Sequence, residues 1–469
     1  MTKILNKLEI KGCERARLSR DPKFDGLFFT AVKTTGIYCR SICPATAPKV
    51  ENVEYYRVAL SAAAAGYRPC LRCRPDSAPS SNAWVGNDTT LIRAIRLIDN
   101  DDGSIESIEH LSERLGISSR YLRKLFAQKL GTSPQKYLVY QRVLLAKKLL
   151  HETSLPISTI AFASGFGTVR SFNHSIKANL ALTPSDIRKQ KRGARSTGSS
   201  VSLKLHYRPP FDWDSMLSFL QTRVVDGIEW VQSGKYGRTI ITQTGARGFF
   251  EVHHDSREPI LHLELALEDF SDIHALIKKI RRLFDLDAPM SDIEACIQQV
   301  LGSEIQLAEG LRIPGVWDPF EAGIRAVLGQ QVTVQQAHKL VNLLVKELGQ
   351  SLECGNRLDL KLFPSPKTIA KSDLAFLKMP QARKDTIHRL AKHFIENDKP
   401  AELDEWLGIK GIGPWTVNYV KLRAAKDTDV WLSGDAGVNN ALKLVGSNLD
   451  PDAASPWRSY LVFQLWHRL

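Results

Sequence analysis

The chain is poor in cysteine and methionine and has no long apolar run. Of 469 residues, seven are cysteine and four are methionine. No stretch of about 18 apolar residues occurs, so no transmembrane helix is expected. The opening MTKILNKLEIKG is basic, but its apolar stretch is too short and broken for a secretory signal. The expectation is a cytoplasmic, reducing location, where paired cysteines serve metals or redox chemistry before disulfides. No internal repeat of solenoid type is present, and the length alone suggests roughly three domains.

What is there is unevenly charged. The net charge is +14. Residues 1–195 hold 32 Lys+Arg against 16 Asp+Glu, whereas residues 196–469 hold 32 against 34. The N-terminal part therefore carries the footprint of a polyanion binder, the plainer alternative being a solvated basic surface. SAPSSNAWVGND (77–88) is a short polar linker. KQKRGARSTGSS (189–200) is a longer basic one, rich in Gly and Ser and without apolar period. Boundaries are expected near residues 80 and 195.

Four of the seven cysteines form two short-spaced pairs, Cys39-x-x-x-Cys43 and Cys70-x-x-Cys73. The 26 residues between them read as strand, loop and helix. Two such pairs closing on one ion is the tetrahedral thiolate pattern of zinc, and a domain of this size needs a staple. Cys13, Cys296 and Cys354 have no such context and look incidental. The stretch from Arg20 to Asp76, with TTGIYCRSICPA and YRPCLRCRPD, resembles the N-terminal domain of the Ada family of alkylation-response proteins. That resemblance implies one Zn2+ on the four cysteines, with Cys39 both ligand and irreversible acceptor of a methyl group from a methylated DNA phosphate. Arg40, Arg68, Arg72 and Arg74 flank the thiols and suit phosphate contact. Ser41 stands where the family often has proline.

SIESIEHLSERLGISSRYLRKLFAQKLG reads as two helices broken at Gly116, the second capped by Ser118 or Ser119 and carrying Arg120, Arg123, Lys124 and Lys129. The pattern recurs in PISTIAFASGFGTVRSFNHSIKANL, with Gly165 and Gly167 at the turn. A single unit is equally readable as a plain helical bundle. Two of them, ending in LTPSDIRK, resemble the AraC-type DNA-binding domain over about residues 90–190. The resemblance implies promoter binding, with Arg120, Arg123, Arg170 and Asn173 as candidate contacts.

LDEWLGIKGIGPWTVNYVKLRA (403–424) places Gly411 and Gly413 between two helices. Glycine there lets backbone N–H groups approach a phosphate, helped by the following helix N-terminus. The hairpin resembles the helix-hairpin-helix of base-excision DNA glycosylases, in which a catalytic aspartate follows. Asp427, Asp429 and Asp435 are available. Asp435 precedes a helix that it could simply cap, and it also aligns with the family aspartate. Asp427 and Asp429 are expected to be solvated loop residues.

HYRPPFDWDSMLSFLQTRVVDGIEWV and LRIPGVWDPFEAGIRAVLGQQVTVQQAHKLV extend the likeness to the AlkA branch, the 3-methyladenine glycosylases. An α/β domain opens that region and the remainder is expected to be helical. An alkylated purine is a cation, so a pocket of electron-rich rings would favour it. Phe219, Trp415, Tyr419 and Trp466 match such positions, each also readable as core. Bifunctional relatives carry a lysine where Trp415 stands, so hydrolysis without strand cutting is implied, and Lys410 is not that lysine. Gln331 replaces a leucine wedge, and Ala436 replaces an aromatic after the aspartate. No Pro-Cys-His-Arg segment for guanine repair occurs.

The expectation is a multidomain, mainly α protein. It comprises a small α/β zinc domain (1–80), an all-α double helix-turn-helix domain (88–192), an AlkA-type α/β domain (201–312) and an all-α helix-hairpin-helix glycosylase domain (313–469). Its partners would be double-stranded DNA, at promoters and at alkylated lesions, and RNA polymerase when activating, with nucleoid association and no membrane. The alternative is a transcription factor with a structural zinc and an inactive DNA-gripping C-terminal domain.

Overall fold

The computed structural model describes residues 7–20, 28–43, 45–56, 62, 65, 67–70, 73, 87–99, 105, 107–130, 132–180, 182–189, 200–303, 305–353, 359–397, 402–445 and 449–469. It divides into two compact units, Met1–Gln141 and Arg142–Leu469. Of the two expected linkers, residues 77–86 and 190–199 lie outside the described residues, whereas Asn87 and Asp88 already belong to a helix, Lys189 ends one and Ser200 opens a strand. Among the described residues no helix is long and apolar enough to cross a membrane.

The first unit opens with α1 (Lys7–Ser19) and a four-stranded sheet of order β3-β1-β2-β4. Its strands are β1 (Phe29–Val32), β2 (Ile37–Arg40), β3 (Val53–Tyr56) and β4 (Arg68–Pro69). β1 is antiparallel to β2 and to β3, and β2 is parallel to β4. All four residues of β1 are buried, so a central apolar strand fixes its neighbours on either side. Helices α2 (Asn87–Asp99), α3 (Ile108–Leu115) and α4 (Ser119–Leu130) follow. They close on a core of Leu91, Ala94, Ile98, Leu111, Leu122 and Phe126, among others. Gly116 ends α3 with φ 67°, a left-handed cap that turns the chain into α4. The Ser118 hydroxyl accepts from the Tyr121 N–H and so caps α4. The boundary between the units falls inside α5 (Pro134–Glu152).

In the second unit α6 (Ile157–Ala163), α7 (Val169–Leu180) and α8 (Pro184–Lys189) come first. A five-stranded antiparallel sheet of order β5-β9-β8-β7-β6 follows. It uses β5 (Ser200–His206), β6 (Glu229–Gln232), β7 (Lys235–Ile241), β8 (Arg247–Asp255) and β9 (Ile260–Leu267), with α9 (Trp213–Gln221) inserted after β5. Along β5 exposed and buried residues alternate strictly, the period of a strand with one face on a core. The chain continues through α10 (Ile273–Leu283), α11 (Met290–Leu301), α12 (Pro319–Leu328) and α13 (Val334–Leu348). Then come β10 (Gln350–Ser351), β11 (Lys361–Leu362), α14 (Pro366–Lys371) and α15 (Gln381–Glu396). Last are α16 (Pro414–Val420), α17 (Ala436–Val445) and α18 (Arg458–Trp466).

The β10–β11 ladder interrupts a region expected to be wholly helical. Its two-residue strands are too short to show a period. Tertiary packing of Leu352, Leu360 and Leu362 on Trp230 and Phe249 holds them. Two helical cores position the site. One gathers α12, α13, α15 and α16 around the fully buried Trp406. The other joins α11, α17 and α18. Val417 and Val420 of α16 belong to the first core, and Leu422, in the π-helical turn Lys421–Ala425 that continues α16, belongs to the second. A buried ionic quartet joins the sheet to α12. Glu229 of β6 pairs with Arg238 of β7 at 2.9 Å and Arg325 of α12 at 2.9 Å. Glu321 takes Arg238 and, at 2.6 Å, Arg325.

Candidate metal centre and active site

Cys39 lies on β2, paired across the ladder with Thr30. The turn after β2 brings Cys43 back, its N–H donating to the Arg40 carbonyl at 3.2 Å. Cys70 is tied to the same strand by its N–H to the Tyr38 carbonyl at 3.0 Å. Cys73 completes the group, and one sulfur from each of the four lies within 4.8 Å of all the others. Cys70 and Cys73 are buried, while Cys39 and Cys43 are partly exposed.

The thiols cannot all ionise side by side. Donation of its hydrogen to Cys73, then burial, then repulsion from the other sulfurs push the Cys39 thiol far up. Burial foremost pushes Cys43 up to about 11. Cys73 falls to about 6, chiefly because Cys39 hydrogen-bonds to it. Four soft donors at this spacing are completed by a divalent soft cation, and zinc is the ion they fit. The Arg40 backbone N–H approaches the Cys73 sulfur at 3.4 Å, and its guanidinium reaches the Cys73 carbonyl at 3.3 Å. Thr30 Oγ1 and Ser41 Oγ are buried without a partner among the described residues. Arg68 is on β4, whereas Arg72 and Arg74 lie outside the described residues, as does Cys354.

The candidate reader residues Arg120, Arg123, Arg170 and Asn173 are exposed on α4 and α7. Arg123 is engaged by Glu109 at 2.7 Å.

Asp435 stands immediately before α17, and its Oδ1 accepts from the Val438 N–H at 2.9 Å, an N-cap contact. The same carboxylate also receives two indoles. Trp415 Nε1 donates to Oδ2 at 3.0 Å, and Trp466 Nε1 donates to Oδ1 at 3.0 Å. Trp415 stacks on Tyr419 with ring centroids 5.3 Å apart at 22°. Phe219 of α9 joins through Phe463, which lies 5.5 Å from Phe219 and 5.0 Å from Trp466. Three of the four aromatic residues singled out in the sequence thus converge on Asp435 directly or by stacking, and the fourth borders the same core.

Gly411 has φ 98°, and a methyl carbon there would sit 2.0 Å from Thr386 Oγ1. Only glycine fits that turn. Gln330 Nε2 bridges the Gly411 carbonyl at 3.1 Å and Thr416 Oγ1 at 3.2 Å. Gln331, exposed beside it at the α12–α13 turn, holds φ 57°. Such a conformation in a non-glycine residue is uncommon and marks a constrained turn.

Of the loop aspartates, Asp427 is exposed as expected, but Asp429 is not a solvated loop residue. It takes a two-pronged ion pair from Arg458 at 2.8 and 3.1 Å and a bond from Ser455 at 3.0 Å. That ties the loop to α18, a long-range partnership no local pattern announces.

Two charged neighbours of these aromatic residues escaped the sequence reading. Arg223 lies 3.8 Å over the Phe219 ring, and burial lowers its pKa to about 10. Arg423, buried in the π-helical turn, donates to the Pro314 carbonyl at 2.7 Å and to Tyr419 Oη at 3.0 Å. An arginine in a helical run reads as solvated charge, and only tertiary packing turns these two inward.

Comparison with known proteins places these sites in context. The family model described as the metal binding domain of Ada matches residues 12–76. A helix-turn-helix domain model matches 111–190. The AlkA N-terminal domain model matches 202–318. The chain is 33% identical to a Mycobacterium tuberculosis protein named "Probable bifunctional transcriptional activator/DNA repair enzyme AlkA", over 98% of this chain and 97% of that one. It is 30% identical to DNA-3-methyladenine glycosylase 2 of Escherichia coli, over 56% of this chain and 96% of the relative. It is 32% identical to the Escherichia coli bifunctional transcriptional activator/DNA repair enzyme Ada, over 36% of this chain and 47% of the relative.

Proposed function

The chain belongs to the family of bifunctional transcriptional activators and DNA repair enzymes of the AlkA type, and from that premise we propose how its residues divide the work. One part is a DNA-3-methyladenine glycosylase. The other takes a methyl group from a DNA methylphosphotriester and regulates transcription. DNA is the shared partner, and activation adds RNA polymerase as a second one in the nucleoid.

In the glycosylase the hairpin at Gly411 and Gly413 grips the backbone beside the lesion, and Gln331 fills the gap left by the extruded nucleotide. Trp415, Tyr419 and Trp466 receive the base, with Phe219 on the border. Ring faces favour a cationic alkylated purine over a neutral one by about 0.5–2 kcal/mol per contact. The Asp435 carboxylate, oriented by two indoles and the Val438 N–H, stabilises the positive charge that grows on the sugar as the C–N bond breaks. Water then completes the hydrolysis, and with tryptophan at 415 no amine is offered there for a Schiff base.

In the regulator Cys39 attacks the methyl carbon. The S–C bond forms as the C–O bond breaks, and the phosphodiester leaves with the electron pair. Bound zinc would keep the sulfur deprotonated at neutral pH. Cys43, Cys70 and Cys73 hold the remaining ligand positions, and Arg40, Arg68, Arg72 and Arg74 meet the phosphates. Arg120, Arg123, Arg170 and Asn173 contact the promoter.

The observation that carries the enzymatic reading is the convergence of two indole N–H groups on one carboxylate. The test is single-turnover release of 3-methyladenine from alkylated duplex DNA. Release by the wild type and none by Asp435→Asn supports it. No release by either leaves only a regulator that grips DNA.

A further inference from the structure

We infer that Gly437 is a positioning residue for base excision: its missing side chain is the space into which Trp466 closes on Asp435. The inference rests on the glycosylase reading of that aspartate. Gly437 lies in the first turn of α17, and a methyl carbon built on it would sit 3.0 Å from both Cδ1 and Nε1 of Trp466 and 3.1 Å from Asp435 Oδ1. Carbon contacts are optimal at about 3.5–4.0 Å, so any side chain at 437 presses on the indole nitrogen and on the carboxylate oxygen that it bonds, and wedges the two apart. That bond is 3.0 Å long. Phe463 backs the indole with its ring centroid 5.0 Å away, edge on.

Backbone geometry gives glycine no reason to be there. Gly437 is absent from the residues with positive φ, and it occupies an ordinary helical position. Alanine in a helix is favoured over glycine, which loses more backbone freedom on folding. The fold alone would thus prefer alanine, whereas the Trp466–Asp435 contact requires glycine. Preference for the locally weaker residue is expected where stability is traded for a site.

The two demands have opposite signs, and the test uses that. In Gly437→Ala the melting temperature should hold or rise, while single-turnover base release falls about tenfold, the equivalent of about 1.4 kcal/mol of transition-state stabilisation. Affinity for abasic-site DNA should stay at the wild-type level. The Nε1–H resonance of Trp466, assigned by its loss in Trp466→Phe, should shift as the bond to Asp435 lengthens. Gly437→Val should slow release further. In a Trp466→Phe background Gly437→Ala should add little, because the two changes act on one contact. Unaltered release and an unmoved indole resonance in Gly437→Ala overturn the inference. So does a fall in release matched by a fall in melting temperature, which marks a packing role only. If the wild type itself releases no base, the glycosylase reading fails, and the indole shift still decides whether Gly437 sets the ring.

Discussion

At the scale of single residues the carboxylate of Asp435 serves two masters. It caps α17 and accepts from two indoles. Asparagine can keep the cap through its oxygen, but its amide nitrogen is a donor and cannot accept from the second indole. Asp435→Asn is therefore expected to lose one hydrogen bond, about 0.5–1.5 kcal/mol of stability, and on the order of a hundredfold or more in base release. Thermal melting and single-turnover kinetics separate the two losses. Asp427→Asn is the appropriate control and should release base at the wild-type rate. Asp429→Asn should instead lower stability, because Arg458 loses the less exposed of its two charged partners and keeps only Asp452.

Glu229 is the other residue whose charge matters. Burial raises its pKa, but Arg325 and Arg238 outweigh burial and hold it at about 2, below its ordinary 4.5. A depressed carboxylate contributes stability that is present above its unfolded pKa and is lost as pH falls through the folded one. Glu229→Gln should cost about 3–5 kcal/mol near neutral pH, because two buried guanidiniums lose a partner. Denaturant titrations should find the gap between wild type and variant shrinking as pH falls from about 4.5 to about 2. A gap independent of pH would mean that shape and not charge joins the sheet to α12.

Among elements, the hairpin between the 3-10 turn Leu403–Gly408 and α16 separates folding from binding within three residues. Gly411 needs its positive φ and has Thr386 against it. Gly413, with φ −107° and nothing within 4 Å of a built methyl carbon, is free of both demands. Gly411→Ala should lower stability by about 1–3 kcal/mol and weaken binding to abasic-site DNA. Gly413→Ala should leave melting unchanged and weaken only the binding, because a methyl group there stands between the backbone N–H and the phosphate. Equal affinity of Gly413→Ala and wild type would remove Gly413 from the interface.

For the whole molecule the prediction concerns charge. Four thiolates on a dication carry a formal charge of −2, and one methyl group reduces it to −1. Against DNA phosphates that change favours binding, most strongly at low salt. Elemental analysis should find about one zinc per chain, and Cys70→Ala should lose it. After treatment with methylated DNA, peptide mass mapping should place one methyl on Cys39, and promoter affinity should rise. A methyl found on Cys43 would reassign the acceptor. A methyl on Cys39 with no change in affinity would refute the electrostatic switch while leaving the acceptor in place.

The sequence by itself determined what is local or periodic. Cysteine spacing announces a metal, because ligands near in the chain are near in space. The turns at Gly116 and Gly411 show as glycine because no other residue takes their backbone angles cheaply. The amphipathic period of α10, with Ile273, Leu276, Ile277, Ile280 and Leu283 buried, is visible as written. Tertiary structure alone decided which groups meet across long separations. Trp415 and Trp466 are 20 and 31 positions from the carboxylate they share. Arg325 lies 96 from Glu229, and Arg423 lies 109 from the Pro314 carbonyl. No period links such positions, and burial reverses the ordinary reading of their charge: an arginine that looks solvated in a helix turns inward once an anion or an aromatic ring can take it there.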